Sequence, residues 1–388
     1  MTPLEEPEHI GLLRQSLRRF VDREMPRDAA ARWDRDNHFP RQIFAKLAAA
    51  GMTALGMPDE FGGSGRDVPA LMAAIEELSR RSLAVAVPYI MCTCYAGLNL
   101  MESGSAVQKA ELLPRVADGA LLFAYGWTEP DSGADLAGVK TRAERRGDQI
   151  VINGAKRFCS GAGIADYILT LVNSDRNGER YKNLSFILVP SQAPGVRLDD
   201  IDCMGMKGAA TSDVTFIDVE VPVGNILGGE AAWNQAWPQL VGPGMNIEKL
   251  EVAAMALGIA EQAADDAWAY VGERRQFGQR ILSFQSIRHK LADMKTKLRA
   301  SRLMLYSAAD LAQAGKHCGV ETSMAKLYVT EACREVVLEA QTIMGAYGYV
   351  TASSIERNVR DALLMPIIGG SSAIQRNNIV NWLGLPKS

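Results

Sequence analysis

Residues 124–163 read AYGWTEPDSGADLAGVKTRAERRGDQIVINGAKRFCSGAG: an aromatic strand end, a turn-rich loop and a β pattern behind it. Tyr125, Gly126, Trp127 and Thr128 read as a strand that breaks into a turn. Pro130, Asp131, Ser132 and Gly133 are turn formers, and Gly133 allows close backbone approach to a ligand. Gln149, Ile150, Val151 and Ile152 start a second strand. Asn153-Gly154 then predicts a tight hairpin turn, because both residues tolerate the positive φ such turns need. The returning strand would carry Phe158, Cys159 and Ser160 into the loop Gly161-Ala162-Gly163. Rings, hydroxyls and a glycine at two strand ends suit a flat ring that also accepts hydrogen bonds. They equally suit an ordinary β-hairpin with decorated turns, and these residues alone leave both open.

On either side of this stretch the texture is different. Residues 1–120 read as helical: Leu13, Leu17 and Phe20 recur at helical spacing, as do Ile43, Phe44 and Leu47 after Pro40. Residues 58–65, with three glycines, predict a loop, and 70–80 another helix. Residues 83–101 are apolar on most sides and predict a buried helix bent at Pro88. Between 121 and 230, short β-rich runs at 167–172, 184–189 and 214–217 alternate with polar turns, and 175–182 is a charged loop. From about 235 the pattern is helical again, with long segments at 246–270, 283–312 and 323–344 broken at Gly315 and Gly319. The fold class is therefore α+β: an N-terminal helical domain (1–120), a central β domain (121–232) and a C-terminal helical bundle (233–388).

Length and composition set outer bounds. A chain of 388 residues has room for two or three domains and a large core. Its 47% hydrophobic and 22% charged residues are ordinary for a soluble globular protein. A net charge of −3 and an isoelectric point near 5.9 argue against a nucleic-acid partner. No uncharged apolar run is expected to reach the roughly 18 residues of a membrane helix, and the acidic start of the chain lacks a signal peptide's layout. The six cysteines are scattered, which suits a reducing, cytoplasmic setting. His317-Cys318 has no second pair at a matching spacing, so no metal site is expected.

Five motifs in order carry a resemblance. Thr128-Glu129-Pro130-Asp131-Ser132-Gly133-Ala134-Asp135 resembles the first signature of the acyl-CoA dehydrogenase family. Asn153-Gly154-Ala155-Lys156 with Phe158 and Ser160 is similar to its next flavin-facing segment. Arg274 to Gly278 and Phe284-Gln285 resemble the stretch that meets the far end of the flavin. Gly345-Ala346-Tyr347-Gly348-Tyr349 and Ile374-Gln375-Arg376 resemble the second signature and the C-terminal flavin loop. Together they span nearly the whole chain.

The resemblance implies an FAD enzyme that removes an α-proton from an acyl-CoA thioester while a hydride leaves the β-carbon. It also implies a homo-oligomer, dimer or tetramer, and an electron-transfer flavoprotein as partner. The protein must then supply a carboxylate base in a dry site and donors for the thioester oxygen. Many members carry that glutamate just before a Gly-Thr pair; this chain reads Ile368-Gly369-Gly370-Ser371-Ser372, and Gly369 cannot abstract a proton. Other members carry the base on the long helix after the β domain, where this chain has Asn246-Ile247-Glu248-Lys249-Leu250. Glu248 falls on the matching position. Asn246 reads as a cap beside it, and Val252, Met255 and Ile259 put Glu248 on an apolar face. The competing readings are a solvated or lysine-paired Glu248, and Glu251 as the base.

The same resemblance assigns further roles. Tyr125, Trp127, Thr128, Gly133 and Ala134 would border the flavin ring on one side, and Phe158 and Ser160 on the other. Arg274, Phe277 and Gln285 would meet the pyrophosphate and adenosine of a neighbouring subunit's cofactor, the arginine because guanidinium pairs well with phosphate. Thr342, Gly345, Ser371 and Ala373 would complete the cofactor contacts. Lys249 stands where the family commonly has an arginine near the thioester end, and the resemblance implies that Gly369 would offer its backbone N–H to the thioester carbonyl. Altered chemistry on the same scaffold, such as an enoyl-CoA reductase or a desulfinase, and a catalytically silent subunit remain alternatives.

Overall fold

The computed structural model describes residues 6–384. The N-terminal layer is helical: α1 (Glu8–Glu24), α2 (Arg27–Arg35), α3 (Arg41–Ala49), α4 (Val68–Ser79), α5 (Leu83–Ile90), α6 (Asn99–Ser103) and α7 (Ala106–Ala117). A seven-stranded sheet follows, built from β1 (Phe123–Gly126), β2 (Arg142–Arg146), β3 (Gln149–Ser160), β4 (Tyr167–Asn173), β5 (Leu184–Pro190), β6 (Val196–Ile201) and β7 (Thr211–Pro222). Strand order is β1-β4-β2-β3-β7-β6, with β5 also on β4. The C-terminal layer holds α8 (Ala236–Leu240), α9 (Pro243–Glu273), the small hairpin β8 (Arg275–Gln276) and β9 (Gln279–Arg280), α10 (Gln285–Gln313), α11 (Gly319–Met344), α12 (Ser354–Leu364) and α13 (Ser372–Trp382).

The core runs through all three layers, and α9 is its axis. It packs on α11, α10 and α4, which explains why its alanine-rich sequence is apolar on nearly every side. α4 starts where Asp67 accepts the Ala70 N–H at 2.9 Å, and all of its residues are buried between α1 and α9. Arg14 reaches Glu76 and Glu77 at 2.9 Å each, and Arg302 bridges Glu76 to Glu261 of α9. This network ties α1, α4, α9 and α10 together through buried opposite charges.

Three local expectations change. Asn153-Gly154 is not a hairpin turn; it lies inside β3, and the turn is Gly147-Asp148, since Arg146 pairs with Gln149. The β3–β7 register shifts between Ile152 and Gly154, and Asn153 Nδ2 donates to Asp218 Oδ1 at 3.0 Å. Gly154 has φ 149°, and a Cβ there would stand 2.6 Å from the Thr141 Cα, so the glycine serves a bulge and a close crossing.

The helix over 83–101 is not simply bent at Pro88: Met91–Leu98 is π-helical, so α5 runs on through a widened turn into α6. Contrary to the hydropathy expectation, Leu83–Ser103 is long and apolar enough to cross a membrane by composition, but 89% of its most apolar window is buried inside the protein. It is packed as a core helix.

Candidate active site

Two elements bring their few unburied residues to one place. From Leu83 to Leu100 only Tyr95 and Asn99 are less than fully buried; from Ile247 to Ala260 only Glu248 is. The π-helical turn, which packs on α9, brings Tyr95 round to β1. Its ring stacks on Tyr125 at 3.8 Å, and Tyr125 stacks on Trp127 at 3.9 Å. Asn99 Nδ2 donates to the Tyr125 hydroxyl at 2.7 Å. Three parallel rings therefore form a wall from the N-terminal layer to the sheet.

Gly369 arrives from the C-terminal side. It has φ 59°, and a Cβ there would lie 2.9 Å from Val252 Cγ2, one turn along α9 from Glu248. The two places at which the sequence allowed a base glutamate are thus neighbours in space. The glycine loop is held from below: Lys326 Nζ donates to the Gly370 carbonyl at 2.8 Å, and Gln375 Nε2 donates to the Gly369 and Gly370 carbonyls at 3.1 and 2.9 Å.

Glu248 is half-buried and makes no ion pair among the described residues. Its Oε2 is buried with no hydrogen-bond partner among the described residues. Burial pushes its carboxyl up to about 7, against the pull of Lys249 and Lys326. The expected cap is absent: α9 begins at Pro243, so Asn246 lies inside the first turn, where its Oδ1 accepts from Lys249 Nζ at 3.3 Å and from Thr322 Oγ1 at 3.1 Å. Lys249 is thereby turned away from an ion pair with Glu248. Glu251, one turn on, is 3% exposed, and burial, reinforced by Glu248, holds its carboxyl well above the usual range. Lys326 is fully buried, and burial lowers it to about 8 while Glu248 opposes the shift. A carboxyl poised near neutrality in a dry, aromatic-walled site can take a proton from a carbon acid.

The stretch 124–163 gathers beside this wall. Thr128 carries the chain into the loop, its carbonyl accepting the Arg157 N–H at 2.9 Å. Glu129 pins that loop: it accepts from the Lys140 and Thr141 N–H groups at 2.6 and 2.8 Å and from buried Lys156 Nζ at 2.8 Å. Gly133 and Ala134 are exposed on the loop. Phe158 is 57% exposed with φ 58°, at the second bulge of β3, under the Arg157 guanidinium at 5.1 Å. Ser160 Oγ meets Thr211 Oγ1 at 3.2 Å. The Trp127 indole N–H is buried with no partner among the described residues. An unpaired donor beside unusually exposed aromatics fits a flat, hydrogen-bonding cofactor ring.

The remaining cofactor candidates form a second patch. Arg274 follows the last residue of α9, some 26 residues beyond Glu248, or about 39 Å along the axis at the helical rise. Its guanidinium lies 5.7 Å over the Tyr347 ring and makes no ion pair among the described residues. Phe277 is 91% exposed and meets Phe284 edge-on at 6.1 Å, while Gln285, Thr342 and Gly345 are all exposed. Ser371 caps α13 by accepting the Ile374 N–H at 3.4 Å, and Ala373 is exposed in its first turn. One chain does not unite Arg274 with Trp127.

Sequence reasoning missed Tyr95, Asn99 and Lys326. A π-helical turn obeys neither common period, so nothing in the pattern singles out Tyr95. Lys326 did leave a signal, a lysine between buried Ala325 and Val329 on an apolar helix face. Among the described residues no cluster of three metal-ligating side chains occurs.

A helical layer, an antiparallel-rich sheet and a helical bundle that meet at a buried carboxyl and an aromatic wall define a three-domain oxidoreductase scaffold. Family models for the N-terminal, middle and C-terminal domains of acyl-CoA dehydrogenases match residues 7–120, 124–219 and 237–384. The chain belongs to the acyl-CoA dehydrogenase family. It is 34% identical to an acyl-CoA dehydrogenase of Bacillus subtilis over 96% of this chain and 97% of that one. It is 33% identical to a subunit of the caffeyl-CoA reductase–Etf complex of Acetobacterium woodii, covering 97% and 98% of the two chains. Butyryl-CoA dehydrogenase from Megasphaera elsdenii superposes with a TM-score of 0.93 at 28% identity, covering 98% of this chain and all 100% of that one.

Proposed function

We propose that this protein is an FAD-dependent acyl-CoA dehydrogenase in which Glu248 removes the α-proton of the thioester. The observation that carries the reading is the half-buried Glu248, whose Oε2 is buried and unpartnered among the described residues and whose carboxyl is raised to about 7, with Val252 one turn on against the Gly369 loop. When bound, FAD supplies the acceptor for the β-hydride. Tyr125, Trp127, Thr128, Phe158 and Ser160 would hold its ring. Arg274, Phe277, Gln285, Thr342 and Gly345 would hold the distal part of a cofactor from a neighbouring copy, which is why we propose a homo-oligomer.

The chain's own residues do the proton work. Glu248 must be ionised to act, and its raised basicity lets it compete for a weakly acidic α-proton. The Gly369 N–H would steady charge on the thioester oxygen, with Lys326 and Gln375 keeping that loop in place. Lys249, whose ammonium burial makes easier to deprotonate, would stand near the thioester end. An electron-transfer flavoprotein as electron acceptor and a cytoplasmic location complete the proposal. The latter rests on six unpaired cysteines, which suit a reducing compartment. A reductase direction is the second reading, because identity to the caffeyl-CoA reductase subunit is 33% against 34% to the dehydrogenase.

The test is anaerobic flavin bleaching by a panel of saturated acyl-CoAs, with Glu248→Gln as the control. Bleaching by some thioester that disappears in the variant, with FAD retained, supports the proposal. Bleaching equal in both removes Glu248 from its role. No bleaching by saturated thioesters, with reoxidation of the reduced flavin by enoyl-CoAs, would favour the reductase.

A further inference from the structure

One ring of the aromatic wall has no part in the cofactor contacts proposed above. Tyr95 lies on the π-helical turn and keeps part of its surface open, whereas every aliphatic side chain of residues 83–100 and 247–260 is buried. Asn99 fixes where this ring stands. Its Nδ2 donates to the Tyr95 carbonyl at 2.9 Å and to the Tyr125 hydroxyl at 2.7 Å, which clamps the two rings in their 3.8 Å stack. Its Oδ1 lies 4.0 Å from where a Cβ on Gly244 would stand, and Gly244 is one turn before Glu248 on the same face of α9. One turn beyond Glu248, Val252 meets the Gly369 loop. Glu248 therefore sits in a row between the Asn99 clamp and that loop, each step being about 5–6 Å. Of the two ends of the stack, Trp127 is closed by Phe186 at 5.4 Å. Among the described residues no aromatic ring covers the outer side of Tyr95.

We infer that Tyr95 is a specificity-determining contact that selects an acyl group carrying a flat aromatic ring on its β-carbon, a 3-arylpropanoyl thioester, over a saturated group of the same size. The inference rests on the reading of Glu248 as the base at the α-carbon, which sets the β-substituent beside the wall. Three rings clamped parallel form a rigid surface, and a flat ring laid on Tyr95 continues the stack. Aromatic pairs gain about two- to ten-fold beyond the area they bury. Burial alone predicts the opposite order, because a saturated ring presents more apolar surface than phenyl. In the reaction proposed above, loss of a proton from the α-carbon and a hydride from the β-carbon leaves a double bond conjugated with the ring. The product is then flat throughout and keeps its fit to the wall.

Binding can be separated from turnover in FAD-loaded Glu248→Gln enzyme by calorimetric titration with 3-phenylpropanoyl-CoA and 3-cyclohexylpropanoyl-CoA, which share a carbon skeleton and differ in flatness. The phenyl thioester should bind about five-fold or more tighter. Adding Tyr95→Leu should abolish or reverse that ratio, while Tyr95→Phe should keep it, with FAD retained in both. A cyclohexyl thioester that binds as tightly or tighter before Tyr95 is changed overturns the inference without need of a variant. A ratio that Tyr95→Leu leaves unmoved, or that Tyr95→Phe abolishes, overturns it too. Bleaching reports on the base independently. Lost bleaching in Glu248→Gln with no ring preference leaves the proposed function standing and removes this inference. Retained bleaching in Glu248→Gln with the ring preference intact does the reverse.

Discussion

Replacing Glu248 by Gln should weaken catalysis and strengthen the fold, and both effects follow from the same buried carboxyl. Its folded value of about 7 lies above the ordinary 4.5. A carboxyl raised on folding is protonated more readily in the folded state, so it costs stability only where the unfolded chain would ionise it. The cost begins near pH 4.5, grows as pH rises, and is complete above about pH 7. A shift of that size corresponds to about 3 kcal/mol. Glu248→Gln removes the ionised form, so it should match the parent near pH 4.5 and exceed it by up to about 3 kcal/mol at pH 8. Over the same range kcat/KM of the parent should rise with pH and level off above about 7, because only the carboxylate is a base. The variant should lose roughly 10²- to 10⁴-fold in kcat, about 3–5 kcal/mol of barrier, at every pH. Thermal unfolding at pH 5, 6, 7 and 8, paired with steady-state rates using an artificial electron acceptor, measures both. A variant with unchanged activity, or one whose stability difference from the parent is flat across this range, would refute the reasoning.

Other outcomes follow from single contacts around the site. Lys326→Met removes a cation of α11 that holds the Glu248 carboxyl down, so the acid limb of the rate profile should move to higher pH, read from kcat/KM against pH. Gly369→Ala forces a Cβ into a left-handed position against Val252 and should cost about 1–2 kcal/mol in urea unfolding, partly recovered by Val252→Ala. Lys156→Met leaves Glu129 buried without its cation and should cost about 3–5 kcal/mol, with weaker FAD retention on gel filtration because Glu129 ties down the loop over 129–141. Arg274→Ala should leave the fold intact and lower FAD affinity, measured by flavin release during dilution.

Much of this molecule was legible along the chain. The order of helical, β and helical texture follows from hydrophobic period, a local property, whereas only packing shows Leu83–Ser103 to be a core helix. The motifs from Thr128 to Arg376 pointed to the family because they occur in order, and Gly369 at the usual base position directed attention to Glu248. What the sequence could not decide is what needs two distant segments at once. Asn153-Gly154 carries the same dipeptide whether it turns a hairpin or bulges inside a strand; the crossing of Thr141 over Gly154 selects the bulge. Tyr95 was invisible because a π-helical turn, not a period, brings it against Tyr125. The protonation of Glu248 was likewise undetermined, since dipole and burial act in opposite directions and only packing sets their balance. Removal of water by α4, α11 and the aromatic wall, rather than any neighbour in sequence, makes that glutamate a candidate base.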